Sequence, residues 1–227
     1  MKYPQASIAT DICIFTIIEN KLYILLVDRK EEPFGWSLPG GFFTPEDKNL
    51  DICAIRELRE ETAVKGFKLI QFGIYSEGQR DPRYPRTKGK DLGVVSVAYF
   101  ALIPRSNLDL QAGSDAKKTD LRLVSQIPKL AFDHNKIVKD AYNSLAARAL
   151  DDNLLLELMP KAGFSISELK KVYEAVGKGY KDAANFQRHV QTKLVSTGLI
   201  QDTGDTTVSG KGGPPARLYS YCPKSQG

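Results

Sequence analysis

The run Arg56-Glu57-Leu58-Arg59-Glu60-Glu61, which follows the loop Leu38-Pro39-Gly40-Gly41-Phe42, constrains this chain more than any other feature. The spacing predicts a helix over Asn49–Thr62, with Leu50, Cys53, Ala54 and Leu58 as its apolar stripe. On that helix Glu57, Glu60 and Glu61 share a face, stacked turn over turn. Like charges packed this way repel, so a helix gathers them at a cost. Hard divalent cations such as Mg²⁺ take oxygen ligands of this kind and bridge them to phosphates. The plain alternative is a solvated acidic face. The upstream Gly-Gly favours a site, because it suits backbone that must pass close to other groups.

Around this run the chain reads as strands first and short helices afterwards. Residues 7–18 and 21–27 are rich in β-branched and apolar side chains and flank Glu19-Asn20, which predicts a hairpin of buried strands. Asp28–Pro39 reads as a loop carrying the single Trp, Trp36. Strands are expected at 67–75 and 93–103, joined by a long basic loop, Gln79–Asp91; a loop of that length is commonly functional. Residues 105–120 read as a surface excursion, and Asp133 as the cap of a helix reaching about Leu150. From Asp151 onward come a brief helix, Asn153–Met159, closed by Pro160, and a helix Ile166–Val176 capped by Ser165 with Glu168 completing a capping box. A turn at Gly177-Lys178-Gly179 then leads to a third helix, Asp182–Ser196. Two apolar stretches, 198–201 and 218–222, are placed to pair as a hairpin. Helix, turn, helix and hairpin is the order of a winged helix-turn-helix. The expected organisation is thus an α/β domain over residues 1–150 and a winged helix domain over 151–227.

Composition excludes several classes. No apolar run is long enough to span a bilayer, and the N-terminal residues lack the apolar core of a signal peptide, so the expected location is the cytoplasm. Cys13, Cys53 and Cys222 are scattered, with no metal-ligand spacing, and read as reduced, packed thiols. Two histidines, His134 and His189, leave no His-rich zinc site. Net charge matters once it is located: residues 1–160 carry 22 Lys+Arg and 22 Asp+Glu, while 161–227 carry 10 and 5. A basic module on a neutral body points to a polyanionic partner, though an excess this small also arises by chance.

The Gly-Gly loop followed by Arg56-Glu57-x-x-Glu60-Glu61 resembles the Nudix box. The resemblance implies an α/β/α sandwich around a mixed sheet and Mg²⁺-assisted hydrolysis of a nucleoside diphosphate linked to another group. Glu57, Glu60 and Glu61 would be the metal ligands, with Mg²⁺ as the candidate cofactor, and Arg56 would hold the loop by ion pairing. The match departs from the family pattern in two places. An inserted residue brings Asp47, one methylene shorter than Glu, to the upstream acid position, and Ala63 stands where the box has Gly. These departures argue for a pocket kept for binding after turnover was lost, with the box vestigial. The fold so implied puts Arg29, Phe34 and Trp36 at the pocket mouth beside Gly40 and Gly41, where an aromatic ring can stack on a base and guanidiniums can grip pyrophosphate. Arg80 and Arg83 add two more guanidiniums. The alternatives are a partly buried core Trp36 and a solvated basic loop, or a DNA or dimer contact, at 80–83.

In the third helix of the basic module, Asn185, Arg188 and Gln191 share a face. With Lys181, His189 and Lys193 they form the candidate DNA-reading set, and Lys211 and Arg217 would charge the wing. Ala184, Phe186, Val190, Leu194 and Val195 are expected on the opposite, core-facing side. The two halves together resemble Nudix-related transcriptional regulators of NAD metabolism. That family implies a dimeric repressor of NAD-metabolism genes whose Nudix domain senses ADP-ribose or a related metabolite and then releases operator DNA. The competing expectation is an active Mg²⁺-dependent ADP-ribose pyrophosphatase with an accessory winged helix; a weaker third is a sensor whose winged helix docks a protein.

Overall fold

A strand with apolar side chains on both faces belongs in the middle of a sheet covered on both sides. Strand β1 (Gln5–Ile18) is such a strand, buried without a break from Ala9 to Thr16. In this computed structural model, which describes residues 3–62, 68–77, 79–87, 91–108, 118–148, 151–180, 182–207 and 215–223, β1 lies at the centre of a mixed sheet. It turns into β2 (Lys21–Arg29) through Glu19 and Asn20, both at positive φ (47° and 65°), the backbone of a two-residue hairpin turn. The sheet order is β3-β2-β1-β6-β5, with β3 at Gly35–Ser37, β5 at Ile70–Tyr75 and β6 at Asp91–Leu102. Strand β6 runs parallel to β1; β4 (Gly40–Phe42) pairs antiparallel with β1, and β7 (Thr119–Leu123) with β2.

Helix α1 (Leu50–Thr62) starts where Asn49 Oδ1 accepts the amide of Ile52, and it lays Ala54 and Leu58 against Ile12, Ile14, Leu25, Val97 and Tyr99. Side chains of opposite parity, Phe15 and Phe100, pack together on the other face of the sheet, where Phe100 also meets Phe72. Helix α2 (His134–Arg148) buries Ile137, Val138, Ala141 and Leu145 at spacings of one, three and four.

The expected loop over Asp28–Pro39 is corrected: β3 forms there, Trp36 pairing with Asp28, because β2 offers it a partner edge. Asp133 does not cap α2 through its carboxylate, both of whose oxygens accept from Arg80. Its main-chain carbonyl takes the amides of Lys136 and Ile137 instead. Leu150, the expected end of that helix, and Ala63 lie outside the described residues.

The chain forms two compact units, one of Met1–Thr16, Tyr23–Ile103 and Asn107–Ser144, the other of Ile17–Leu22, Pro104–Ser106 and Leu145–Gly227. In the second, α3 (Asp152–Leu156) is capped by Asp151, and α4 (Ile166–Ala175) opens on the reciprocal Ser165–Glu168 capping box. Helix α5 (Ala183–His189), capped by Asp182, widens into a π-helical turn over Val190–Val195 rather than running on as α-helix. Gly198, at φ 70°, ends it, and β8 (Ile200–Thr207) pairs antiparallel with β9 (Ala216–Tyr221). Phe186, Val190 and Leu194 face the small core, but Ala184, expected with them, is exposed.

Candidate functional site

Gly40 and Gly41 are dictated by crowding. At residues 9–11, β1 is flanked by β4 and β6, and Gly40 sits at φ 150° with the Thr10 carbonyl where a Cβ would be, 2.0 Å away. A Cβ on Gly41 would meet the carboxyl carbon of Glu57 at 2.3 Å. The Gly-Gly pair therefore lets β4 thread between β1 and α1, bringing backbone amides to the acidic helix. The amide of Gly40 donates to Glu61 Oε2 at 3.0 Å.

Arg56 ties the intervening loop together. Its Nε and Nη2 donate to the two oxygens of Asp47 at 2.9 and 2.8 Å, Nη2 also to the Phe42 carbonyl at 3.1 Å, and Nη1 to Glu57 at 2.8 Å. Asp47 further accepts from the amide and hydroxyl of Thr44. The Arg56 guanidinium holds the Asp47 carboxyl well below the usual range. Burial pushes Glu57 up, against the pull of Arg56. The three glutamates do not converge: Glu57 and Glu61 line the cleft, whereas the Glu60 side chain is 60 % exposed and pairs with Arg56. Among the described residues no group of three or more His, Cys, Asp or Glu side chains gathers as a metal cage. Two carboxylates still fit Mg²⁺, which is commonly held by one or two carboxylates together with ligand phosphates and water. The Cys53 thiol, pushed by burial up to about 11, takes no part in this chemistry.

The cleft above Gly40-Gly41 has a volume of about 500 Å³ and is lined by Arg29, Lys30 and Arg83 as well as Glu57 and Glu61. A smaller recess adjoins it, sharing Arg29, Gly40, Gly41, Phe42 and Arg83 and adding Asp11, Arg80, Phe132 and His134. Of the predicted ligand set, Arg29, Gly40, Gly41, Arg80 and Arg83 are thus brought together. Phe34 and Trp36 are not: Phe34 is 67 % exposed away from both hollows, and Trp36 stacks under Arg122, 5.2 Å from the ring centroid. Arg80 is corrected from a loop cation to a buried one. Its Nη2 pairs with Asp11 at 2.7 Å and with Asp133 at 2.9 Å. His134 joins this group with Nδ1 accepting the Leu38 amide at 2.9 Å, so the ring proton sits on Nε2, 3.1 Å from Asp11 Oδ1. Phe132, at φ 58°, was missed as a site residue; its only sequence signal is its place beside Asp133 and His134.

In the second unit Arg188, Gln191 and Lys193 are exposed. Asn185 is half-buried and its side-chain amide donates to Asp182 at 3.0 Å, which occupies it at the helix start. His189 is corrected: it turns inward, 3.1 Å from Asp152, with its ring edge-on to Tyr173 and tilted against Tyr180. Arg217 is exposed on β9, 3.4 Å from Asp202. Lys181 and Lys211 lie outside the described residues. No helix among the described residues is long and apolar enough to cross a membrane.

A mixed sheet carrying an acidic helix behind a Gly-Gly strand, followed by a capped helix pair and hairpin, defines a Nudix domain joined to a winged helix. Residues 8–141 match the NUDIX domain family, and residues 155–221 match the NrtR DNA-binding winged helix domain. The chain belongs to the Nudix-domain regulators that carry an NrtR-type winged helix. It is 31 % identical to the "ADPR responsive transcriptional repressor NtrR" of Acinetobacter baylyi, over 96 % of this chain and 83 % of that one. Shewanella oneidensis NrtR, solved with a 27mer DNA, superposes with a TM-score of 0.78 at 28 % identity, over 95 % of this chain and 93 % of that one. The NUDIX domain of the same protein, solved with ADP ribose, matches 64 % of this chain and 90 % of its own, with a TM-score of 0.51 and 30 % identity. An ADP-ribose pyrophosphatase of Methanocaldococcus jannaschii is 36 % identical over 55 % of this chain and 68 % of its own.

Proposed function

We propose that this protein is a transcriptional repressor of NAD-metabolism genes that binds operator DNA through its winged helix, as a homodimer, and releases it when ADP-ribose occupies the Nudix cleft. The observation that carries this reading is the likeness to an ADPR-responsive repressor along 96 % of the chain, through both units. The local chemistry supports it. The cleft faces a diphosphate with Arg29, Lys30 and Arg83. Arg188, Gln191 and Lys193 are exposed for base edges and phosphates. We take residues 1–150 as the sensing domain and 151–227 as the DNA-binding domain, in a cytoplasmic protein.

The test is a titration of promoter DNA with the full chain at low salt, where phosphate contacts are strongest, followed by addition of ADP-ribose. Specific binding, reversed by ADP-ribose and weakened by Arg188→Ala with ADP-ribose binding intact, is the expected result. Absence of specific binding at low salt overturns the repressor reading. Sedimentation with and without DNA tests the dimer.

A second reading, a Mg²⁺-dependent ADP-ribose pyrophosphatase, is favoured by Glu57 and Glu61 lining the cleft and by the likeness to the archaeal pyrophosphatase. Those two carboxylates would hold Mg²⁺, which when bound offsets charge on phosphoryl oxygens. Arg56 would orient Glu57, and Arg29 and Arg83 would hold the diphosphate. Turnover of ADP-ribose that disappears in Glu57→Gln selects this reading.

A further inference from the structure

Phe132 stands at φ 58°, a left-handed conformation that a bulky side chain adopts at an energetic cost and that clusters at functional positions. The surrounding structure enforces it. The Ala131 amide donates to the Trp36 carbonyl, Asp133 is gripped by Arg80, and His134 is fixed between Leu38 and Asp11. What this strain delivers is the ring. The guanidinium of Arg29 lies 4.7 Å from its centroid and that of Arg83 lies 5.2 Å away.

An aromatic face holds a guanidinium without neutralising it, whereas a carboxylate would cancel the charge. Arg29 otherwise donates to main-chain carbonyls, Nε to Pro33 at 2.7 Å and Nη2 to Glu32 at 3.3 Å. Arg83 differs: the Asp81 carboxylate accepts from its Nε and Nη2 and offsets its charge. Burial, and then the charge of Arg83, hold the Arg29 pKa below its ordinary value against the opposing pull of Asp81, Glu31 and Glu61.

Resting on the effector reading above and deepening it, we infer that Phe132 is the positioning residue of a diphosphate subsite: its strained ring holds Arg29 and the Asp81-paired Arg83 side by side at the cleft. The ligand moiety it serves is a diphosphate, which two guanidiniums can grip in a bidentate way.

The experiment measures binding of ADP-ribose, and separately of inorganic pyrophosphate, to the full chain by calorimetry. The variants are Phe132→Leu and Phe132→Tyr, with thermal unfolding followed in parallel. Loss of two cation–π contacts predicts about tenfold weaker binding of both ligands to Phe132→Leu. Phe132→Tyr, which keeps the ring, stays close to wild type. Phe132→Met fills a similar volume without a π-face and replaces Phe132→Leu if that variant unfolds. A purely structural role would lower the unfolding temperature without a selective loss of the two anions. Unchanged pyrophosphate binding in the folded Leu or Met variant overturns the inference, as does a Tyr variant that loses as much as Leu. Wild-type protein that binds pyrophosphate but not ADP-ribose overturns the effector reading alone; binding of neither overturns both.

Discussion

Arg80 shows how far the role of a single residue depends on partners distant in sequence. In the sequence it is one guanidinium of a basic loop; in the fold its side chain is 5 % exposed and bridges Asp11 on β1 to Asp133 before α2. Removing the guanidinium leaves buried Asp11 with His134 and takes the cation from half-buried Asp133, and Arg80→Met is expected to cost about 3–5 kcal/mol in denaturant unfolding. Asp11 adds a pH signature. Burial by itself raises its pKa, but His134 and Arg80 outweigh burial and leave it well below the ordinary value of 3.8. The folded state therefore binds fewer protons than the unfolded chain near that pH. The stabilisation is complete above the ordinary aspartate range and is lost as pH falls through the lowered value. Acid unfolding of Asp11→Asn, followed by circular dichroism, should depend less steeply on pH between about 5 and 2 than wild type does. An unchanged slope would show that Asp11 is not the group being protonated.

At the scale of elements, legibility follows the range of the interactions. The α4 start was readable because Ser165 and Glu168 satisfy each other three residues apart, with both bonds present in the fold. Helix α1 and its apolar stripe were readable for the same reason, as was Arg56 as a loop anchor once the family pattern was in view. Strands β3 and β4 were not, because three residues carry no periodicity and their pairing comes from β1 and β2. The inward turn of His189 was equally hidden. It depends on Asp152, whose Oδ1 also accepts from the Tyr173 hydroxyl at 2.7 Å and from Lys178 at 3.5 Å. That one oxygen ties α3 to α4, to the turn after it and to α5, so the two helix starts of this module differ in weight. Ser165→Ala removes one cap and is expected to cost about 1 kcal/mol. Asp152→Ala strands donors on three elements, two of them potentially charged, and is expected to cost about 2–3 kcal/mol. Comparing the two urea midpoints checks the order, and a Ser165 loss as large as that of Asp152 would contradict the hub.

For the whole molecule the question is how an effector in a nearly neutral unit governs a basic one. Counted by the two compact units, the first carries 19 cations and 18 anions and the second 13 and 9, so the excess positive charge lies in the unit that holds the winged helix. Effector binding therefore acts on DNA through free-energy coupling between two sites more than by adding charge near the phosphates. Such coupling is reciprocal: if ADP-ribose weakens DNA affinity by some factor, DNA must weaken ADP-ribose affinity by the same factor. A hundredfold effect needs only about 2.7 kcal/mol, the size of a few altered contacts. The prediction is that the ADP-ribose Kd, measured by calorimetry on the free protein and on the protein saturated with operator DNA at one fixed salt concentration, rises by the factor by which saturating ADP-ribose raises the DNA Kd. Salt must be held constant because DNA affinity falls steeply as it increases. Phe132→Leu should shift the ADP-ribose curve in both states equally, leaving the ratio intact, since the ring tunes the ligand's grip and not the coupling. An ADP-ribose affinity indifferent to DNA, beside DNA binding that ADP-ribose abolishes, would break this reciprocity and so mean that the system is not at equilibrium, as when the nucleotide is being consumed. That result would displace the sensor as the account of this chain.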